Sequence, residues 1–289
     1  MMGALTKAHD EQGSELTPVQ KVLDSHVHLW NWQKQNLPWV TRDMKVLQRT
    51  YTLDDLVCAY DSARTVPQVQ LVSGVYVEVD TPDWADEDIR AAQLQESAGF
   101  AMCLQARLST HMRVPLCARA VREVLHTTSA REGRCLEREF LDGLRLLADR
   151  HIAFDACVRT EELDDLVRAC ERIPQATVVL DHVGNVTNSA QLESALPAFE
   201  RLATLENVYV KVSGYPTADV VFADSICACM KSIFSPERLL YASNWPVIQL
   251  YGGLAEHLQI VMKYWNGDDN FFYANARRVY GGDDEHVSL

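Results

Sequence analysis

Two histidines separated by one residue, His26 and His28, are the side chains whose types and spacing could do chemistry together. Asp24 precedes them with the same spacing. The residues interleaved with this run include the apolar Val22, Leu23, Val27 and Leu29. Such a run predicts a short buried strand, in which residues two apart point to the same face. Both imidazoles are therefore expected to project together, with Asp24 behind them. They could share a divalent cation such as zinc, or flank a carbonyl group as proton donors.

The elements that would position this pair alternate regularly along the chain. Seven more apolar, strand-like segments follow the first, at residues 69–79, 101–108, 118–125, 151–158, 176–182, 207–213 and 238–244. Helical patterns occupy residues 53–63, 81–97, 136–150, 160–173, 189–205, 217–234, 252–265 and 269–279. Strands that are apolar nearly throughout suit a parallel sheet that is covered on its outer face. The sequence therefore predicts an α/β fold, a (β/α)8 TIM barrel, as a single domain.

Three further features bear on this architecture. A doubly wound open sheet is the alternative, but the first strand is not followed by the G-x-G-x-x-G turn of its dinucleotide-binding version. Only about ten residues separate the third and fourth strands, which is short for a crossover helix, so we expect a truncated connection there. Residues 1–19 are polar without periodicity and predict a loose tail before a barrel domain at residues 20–289.

Polar side chains fall at the ends of the predicted strands, where barrels of this class carry their chemistry. Beyond the first pair of histidines they are Glu78, Asp80, Arg107, Arg122, His126, Asp155, Arg159, Asp181, His182, Lys211, Ser213 and Asn244. Any one of them alone could be a structural salt bridge or a helix cap. Their joint placement on one rim favours a functional site.

Composition restricts the partners. The chain has 289 residues, of which 47% are hydrophobic, and a formal net charge of −13. A field of that sign repels nucleic acid and anionic membranes, so we expect a small-molecule substrate and neither of those partners. The eight cysteines are scattered without a C-x-x-C pair, and neither a membrane span nor an apolar signal core is evident. Buried reduced thiols in a cytoplasmic protein are the expectation. The sequence does not specify an oligomeric state.

Seven short segments, in order along the chain, carry a resemblance to a known family. They are DSHVHLW at 24–30, LPW at 37–39, VREVLH at 121–126, LDHVGN at 180–185, KVSG at 211–214, SNWPV at 243–247 and NARRVY at 275–280. With them the chain resembles the amidohydrolase-related barrel hydrolases (amidohydrolase 2), in particular the sugar-lactonase and 2-pyrone-4,6-dicarboxylate lactonase branch. The resemblance implies a TIM barrel that hydrolyses a lactone or a similar cyclic ester.

The resemblance also implies roles for particular residues. His26, His28 and His182 would hold one divalent metal, zinc or manganese, or would hold the carbonyl oxygen directly in a metal-free site. Arg122 and His126 would bind the substrate. To these we add Arg159, because the planar fork of arginine suits carboxylate groups. The predicted substrate contacts are thus Arg122, His126, Arg159 and Glu78.

The chain departs from the family pattern at the end of the last strand, where the family reads S-D-W-P and this sequence has Asn244. The family aspartate orients and deprotonates the attacking water. An amide has the same shape and still hydrogen-bonds water, but it cannot accept the proton. It also contributes no negative charge to hold a cation. We nevertheless count Asn244 among the predicted catalytic positions, because it occupies the family's place.

Several explanations of Asn244 stay open at this point. Another residue could be the base, with Glu78, Asp155 and Asp181 as the nearest candidates. A metal-free electrostatic site could suffice for an activated ester. The chain could bind a lactone or sugar acid without turning it over. A decarboxylase or hydratase on the same scaffold is a further class, in which an asparagine would bind the substrate and not the water.

Overall fold

The structure, a computed structural model, describes residues 19–65 and 67–281. Within these ranges eight strands form one parallel sheet whose spatial order is the order of the sequence. The strands are β1 (Val19–Val27), β2 (Gln68–Val77), β3 (Ala101–Gln105), β4 (Ala118–Val124), β5 (Ala153–Cys157), β6 (Val178–Leu180), β7 (Val208–Val212) and β8 (Leu239–Tyr241). The predicted tail, residues 1–19, lies outside the described residues except for Val19, which begins β1.

The sheet closes where β1 meets the segment that follows β8. Val27 and Trp245 form a parallel bridge. The backbone N–H of His28 donates to the carbonyl of Trp245 at 2.7 Å, and that of Asn244 donates to the carbonyl of His26 at 3.0 Å. The predicted (β/α)8 barrel is confirmed, and three of the predicted site positions, His26, His28 and Asn244, lie on this seam.

Helices surround the sheet. They are α1 (Leu53–Ser62), α2 (Trp84–Ala98), α3 (Arg138–Asp149), α4 (Leu163–Arg172), the single turn α5 (His182–Asn185), α6 (Ser189–Thr204), α7 (Val220–Ile233), α8 (Leu254–Trp265) and α9 (Asn275–Tyr280). A π-helical turn, Asn270–Ala274, leads directly into α9. Short 3-10 turns lie at Lys45–Leu47, Arg134–Leu136, Thr160–Glu162, Pro236–Arg238 and Val247–Leu250. Among the helices of the described ranges, none is both long enough and apolar enough to cross a bilayer.

Local sequence signals set the ends of these helices. The side chain of Thr52 accepts a hydrogen bond from the backbone of Asp55, whose carboxylate accepts one from the backbone of Thr52 in return, so that α1 begins with a capping box. Gly99 ends α2 with φ of 64°, a left-handed conformation that favours glycine. Residues 106–117, all of which the structure describes, join β3 to β4 through turns without a helix. The predicted truncated connection is therefore confirmed.

The strand faces divide the core into two buried clusters. One lies inside the barrel and contains Leu23, Val75, Val77, Cys103, Ala120, Ala153, Val179 and Leu240 together with Ala276 and Tyr280 of α9. The larger cluster fills the space between the sheet and the helices. Arg122, Asp155 and Asp181 each stand two residues beyond a member of the interior cluster. Since residues two apart on a strand share a face, the apolar interior forms the floor beneath these polar side chains.

β1 departs from a regular strand. Its register with β2 shifts once before Leu23 and again after Asp24. The Asp24 carboxylate accepts hydrogen bonds from the hydroxyl of Tyr60 in α1 at 2.8 Å and from the backbone N–H of Ser243 at 2.8 Å. The hydroxyl of Ser243 and the backbone N–H of His26 also donate to it. Asp24 therefore ties β1 to the end of β8, and it does not face the cavity behind the imidazoles as strand periodicity predicts.

We predict that Asp24→Ala lowers the free energy of unfolding by about 3 kcal/mol, because several buried donors lose their acceptor at the seam of the barrel. Urea denaturation followed by circular dichroism measures the change. Asp61→Ala, which removes an exposed carboxylate from α1, is the matched control, with an expected change of about 0.5 kcal/mol or less. Equal midpoints for the two variants would contradict this role of Asp24.

Candidate active site

Three imidazoles converge inside the barrel mouth. The Nε2 atoms of His26 and His28 lie 3.1 Å apart, and the ring centroids of His26 and His182 lie 4.3 Å apart. His28 Nδ1 lies 2.9 Å from the carbonyl oxygen of Val77. Because a carbonyl oxygen only accepts, Nδ1 of His28 carries the proton when the ring is neutral, which leaves Nε2 with its lone pair toward His26. The three predicted histidines thus form one buried group.

His182 reaches this group because the chain makes a left-handed turn after β6. His182, Val183 and Gly184 have φ of 54°, 46° and 70°. The Nδ1 atom of His182 lies 2.8 Å from the hydroxyl oxygen of Ser213. Gly214 has φ of 74°, and a Cβ there would come within 2.4 Å of the Cβ of His182. Glycine is thus needed at 214, which accounts for the K-V-S-G segment after β7.

Beneath the imidazoles lies a fully buried cation, the ammonium group of Lys211. It forms ion pairs with Asp155 and, at 3.0 Å, with Oδ1 of Asp181. Its Nζ also lies 3.1 Å from Nδ1 of His26. Tyr280 of α9 donates its hydroxyl to the other oxygen of Asp155 at 2.9 Å. Sequence reasoning placed Lys211 on the rim but did not identify it as the centre of a charge cluster.

The cluster shifts the pKa values of its members. Burial alone would raise the pKa of Asp181, but Lys211 and His26 outweigh burial and hold it well below 3.8. For Asp155 burial prevails, and its pKa is raised despite Lys211. Burial alone would lower the pKa of Lys211, yet the two carboxylates raise it. The resulting centre holds a firmly protonated ammonium beside an ionised Asp181.

The same burial keeps the imidazoles neutral. It lowers the pKa of His26 and of His28 well below 6.5, and the positive charges of Lys211 and Arg122, respectively, lower these values further. Burial also lowers the pKa of His182 to about 3. Neutral imidazoles can bind a metal without losing a proton, and one whose N–H is not engaged by the protein can also donate it to a carbonyl oxygen.

Arg122 and Glu78, both predicted substrate contacts, lie in the site as a buried pair. Arg122 Nε donates to Glu78 Oε1 at 2.5 Å, and its Nη2 donates to the Glu78 carbonyl at 2.8 Å. Nη1 of Arg122 lies 3.8 Å from Oδ2 of Asp181. Burial raises the pKa of Glu78, and the Arg122 charge opposes that rise. The guanidinium thus spans β2, β4 and β6 at the level of the imidazoles.

The other two predicted substrate contacts have different surroundings. Arg159 pairs with Glu162 and donates to the carbonyls of Thr127 and Ala130, so that it braces the loop after β4. His126 is exposed, and its Nδ1 lies 3.1 Å from Sγ of Cys157. Arg107, another predicted rim residue, is exposed. Sequence reasoning missed Cys157, although its position two residues beyond Asp155 on β5 is a signal that it faces the barrel interior.

Asn244 lies at the seam, buried and with φ of 57°. Its side-chain oxygen has no hydrogen-bond partner among the residues that the structure describes. A buried acceptor without a protein partner suits a water molecule, a substrate hydroxyl or a cation.

The donor set can be tested against a divalent metal. His26, Asp181 and His182 each offer one ligand atom, and these atoms lie within 4.8 Å of one another. His28, whose Nε2 lies 3.1 Å from that of His26, adds a third imidazole donor. The partnerless Asn244 oxygen is a further possible ligand. These residues fit a zinc-type coordination shell. The neighbouring Lys211 ammonium opposes the added charge.

Comparison with known proteins relates this geometry to a family. The sequence model of the family described as Amidohydrolase matches residues 23–282. The L-fucono-1,5-lactonase of Burkholderia multivorans is 25% identical over 292 aligned residues, which cover 90% of this chain and 93% of that protein. A solved structure, Amidohydrolase 2 from Bifidobacterium longum subsp. infantis, is 38% identical with a TM-score of 0.79 and covers 91% of this chain and 100% of that chain.

A second solved structure contains a metal. An amidohydrolase from Burkholderia multivorans, crystallised with bound zinc, superposes with a TM-score of 0.78 at 22% identity. The alignment covers 90% of this chain and 99% of that chain. At that identity the likeness concerns the fold.

We predict that Lys211→Met lowers the free energy of unfolding by about 3–5 kcal/mol at pH 7, because two buried carboxylates lose their cation. The loss should shrink at pH 5. Without the ammonium, burial raises the pKa of both carboxyl groups, so protonation relieves the uncompensated charge. In the wild type the pKa of Asp181 lies below its unfolded value, so its contribution is present above about pH 4 and is lost only on further acidification.

Urea denaturation at pH 5 and pH 7 measures both effects. Lys263→Met is the matched control, since Lys263 pairs with Asp224 on the surface and exposed pairs contribute about 0–1 kcal/mol. If Lys211→Met were as stable as this control, Lys211 would not be the compensating charge.

Proposed function

Because this chain belongs to the amidohydrolase family, we propose that it is a hydrolase that opens a lactone or a similar cyclic ester. The observation that carries the proposal is the convergence of His26, His28 and His182 at the barrel mouth beside Arg122. The name of the Burkholderia multivorans relative, an L-fucono-1,5-lactonase aligned over 90% of this chain, supports a sugar lactone as the first substrate to test.

In this proposal the imidazoles act on the carbonyl oxygen. The neutral ring of His182 is held by Ser213, so the N–H that it donates is preorganised and costs little reorganisation as negative charge develops on that oxygen. The N–H of His28 is engaged by Val77, so this ring acts through the lone pair of its Nε2. The guanidinium of Arg122 would bind a hydroxyl or carboxylate group of the substrate while it stays paired with Glu78. These roles need no negative charge at Asn244.

A divalent metal is compatible with this proposal. Zinc or manganese, held by His26, His28 and His182 with Asp181 alongside, would supply polarisation of the carbonyl oxygen when bound. A metal-free site, in which the ring N–H of His182 holds the carbonyl oxygen directly, is the alternative from the same group of residues.

The general base for a direct attack by water stays a prediction. Glu78, Asp155 and Asp181 are the candidate carboxylates, and each is held by a cation: Glu78 by Arg122 and the other two by Lys211. Ion pairing occupies the carboxylate oxygens, so each would have to release its partner to take a proton from water.

A second candidate function is binding without turnover. The observation that favours it is Asn244, whose buried oxygen lacks a partner and cannot serve as a base. In this case the protein would hold a lactone or a sugar acid through Arg122, His126, Arg159 and Asn244.

We predict turnover of at least one compound in a panel of L-fucono-1,5-lactone, other sugar lactones and 2-pyrone-4,6-dicarboxylate, assayed by acid release. Each is tested after chelation and after addition of zinc or manganese. His182→Ala should lower kcat/KM by about 100-fold or more, since it removes a preorganised donor. His111→Ala, in an exposed position between β3 and β4, should leave kcat/KM unchanged. No turnover of any compound at any metal load would exclude the lactonase proposal for this panel.

Asn244→Asp separates the two candidate functions. In an active lactonase that uses the amide as it stands, the new carboxylate adds negative charge beside the developing oxyanion, and kcat/KM should fall by about 10-fold or more. In a binding protein derived from an enzyme, the carboxylate restores a base and turnover should appear where the wild type has none. Lactone binding to both variants, followed by calorimetry, shows whether the pocket itself is intact.

A further inference from the structure

A second pair of reactive side chains lies at the barrel mouth, formed by Cys157 at the end of β5 and His126 after β4. Sγ of Cys157 and Nδ1 of His126 are 3.1 Å apart. A thiol within hydrogen-bond distance of an imidazole nitrogen is the arrangement in which a base can take the thiol proton. The residues are 31 positions apart in sequence, and the barrel brings them together.

The surroundings hold this pair in place. Asn185 donates its amide to the carbonyl of Val158 at 2.7 Å and lies 3.8 Å from Sγ of Cys157. Arg159 braces the loop that follows His126 through the carbonyls of Thr127 and Ala130. His126 lies at the surface, but burial of its ring and the Arg122 charge lower its pKa to about 4, so the ring is neutral at pH 7. The sulfur of Cys157 is buried.

The position of Cys157 connects it to the imidazole group. It stands two residues beyond Asp155 on β5, so its side chain points to the same face of the strand as Asp155, one layer nearer the barrel mouth. Arg122 and Asp181 lie close enough to shift its pKa in opposite directions. Other buried cysteines have different environments. Cys170 lies in the apolar cluster outside the barrel, and Cys227 contacts the hydroxyl of Tyr215.

The thiol needs a base in order to react. Burial raises the pKa of Cys157 to about 12, so the sulfur carries its proton at neutral pH and is a weak nucleophile on its own. His126 is the side chain in contact that can remove this proton as the sulfur attacks.

We propose that Cys157 is the nucleophile that opens the lactone, with His126 as its general base. This inference rests on the proposed lactonase function. Sγ bonds to the lactone carbonyl carbon while His126 accepts the thiol proton. The ring C–O bond then breaks, and His126 delivers that proton to the departing alkoxide. Water next attacks the thioester carbonyl, and its proton passes through His126 to the sulfur as the C–S bond breaks. The products are the free hydroxy acid and the original thiol.

This chemistry accounts for an asparagine at position 244. The first attack uses a nucleophile of the protein, so no water has to be deprotonated at the strand-eight position. The imidazole of His182 and the guanidinium of Arg122 keep their roles toward the carbonyl oxygen and the substrate. Asn244 keeps its capacity to hydrogen-bond a substrate oxygen.

Mass spectrometry of the intact protein tests the intermediate. Ring opening by the thiol leaves the alcohol attached to the acyl group, so an acid-quenched reaction should show the protein plus the full mass of one lactone. Peptide mapping should place the adduct on Cys157, and hydroxylamine should release it as expected of a thioester. Cys157→Ala should abolish the adduct and lower kcat/KM by about 100-fold or more, and His126→Ala should do the same to kcat/KM.

Cys170→Ala and His111→Ala are the matched controls, with a buried thiol and an exposed imidazole outside the site, and both should keep wild-type kcat/KM. Wild-type activity in Cys157→Ala would overturn the inference and leave the lactonase proposal standing.

A separate readout tests the pair even if no lactone in the panel is turned over, which would count against the proposed function. Iodoacetamide should alkylate Cys157 at least about 10-fold faster than Cys170 in the folded wild type, and His126→Ala should remove this difference. Equal rates at the two cysteines, or a rate at Cys157 that does not depend on His126, would overturn the inference.

Discussion

The centre of this barrel depends on one buried positive charge, the ammonium group of Lys211 between Asp155 and Asp181. Two carboxylates without a cation could not stay ionised in an apolar interior and would take up protons. The ammonium holds Asp181 as an anion, and its field helps to keep His26 neutral. Burial keeps the imidazole group neutral, and the Lys211 ammonium beneath it adds to this effect at His26.

The same region that carries the site also closes the barrel. His26, His28 and Asn244 exchange backbone hydrogen bonds across the seam, directly or through Trp245. The Asp24 carboxylate joins that seam from the helix-facing side. Because of the register shifts in β1, the side chains of Asp24 and His26 point in different directions. Asp24 therefore stabilises the seam, while His26 on the same short strand belongs to the site. A change that loosens the seam would therefore move the imidazoles as well.

The barrel and the membership of its rim could be predicted from sequence, since apolar strand patterns locate the strand ends and a parallel barrel brings those ends to one edge. The direction in which the Asp24 side chain points could not be predicted, because the alternation of residues along a strand does not reveal a register shift. Nor could the partners of Arg159 or Glu78, since several opposite charges lie within reach and only the folded distances select among them. Cys157 reads as an apolar residue in the sequence, and its contact with His126 spans two separate strand ends.

The neutral side chain at position 244 is consistent with the charges around it. A carboxylate there would add a third negative group to a centre in which one ammonium already faces two, and burial already raises the pKa of Asp155. The amide keeps the hydrogen-bonding shape of the position without that charge. The proton acceptor is then His126 at the rim, and not a residue of the buried seam. His126 lies at the surface, where it can exchange its proton with water. In this arrangement the neutral imidazole of His126 accepts the proton at the rim, and the charge cluster around Lys211 supplies the fixed charges below it. A carboxylate at position 244 would have to serve both as proton acceptor and as fixed charge.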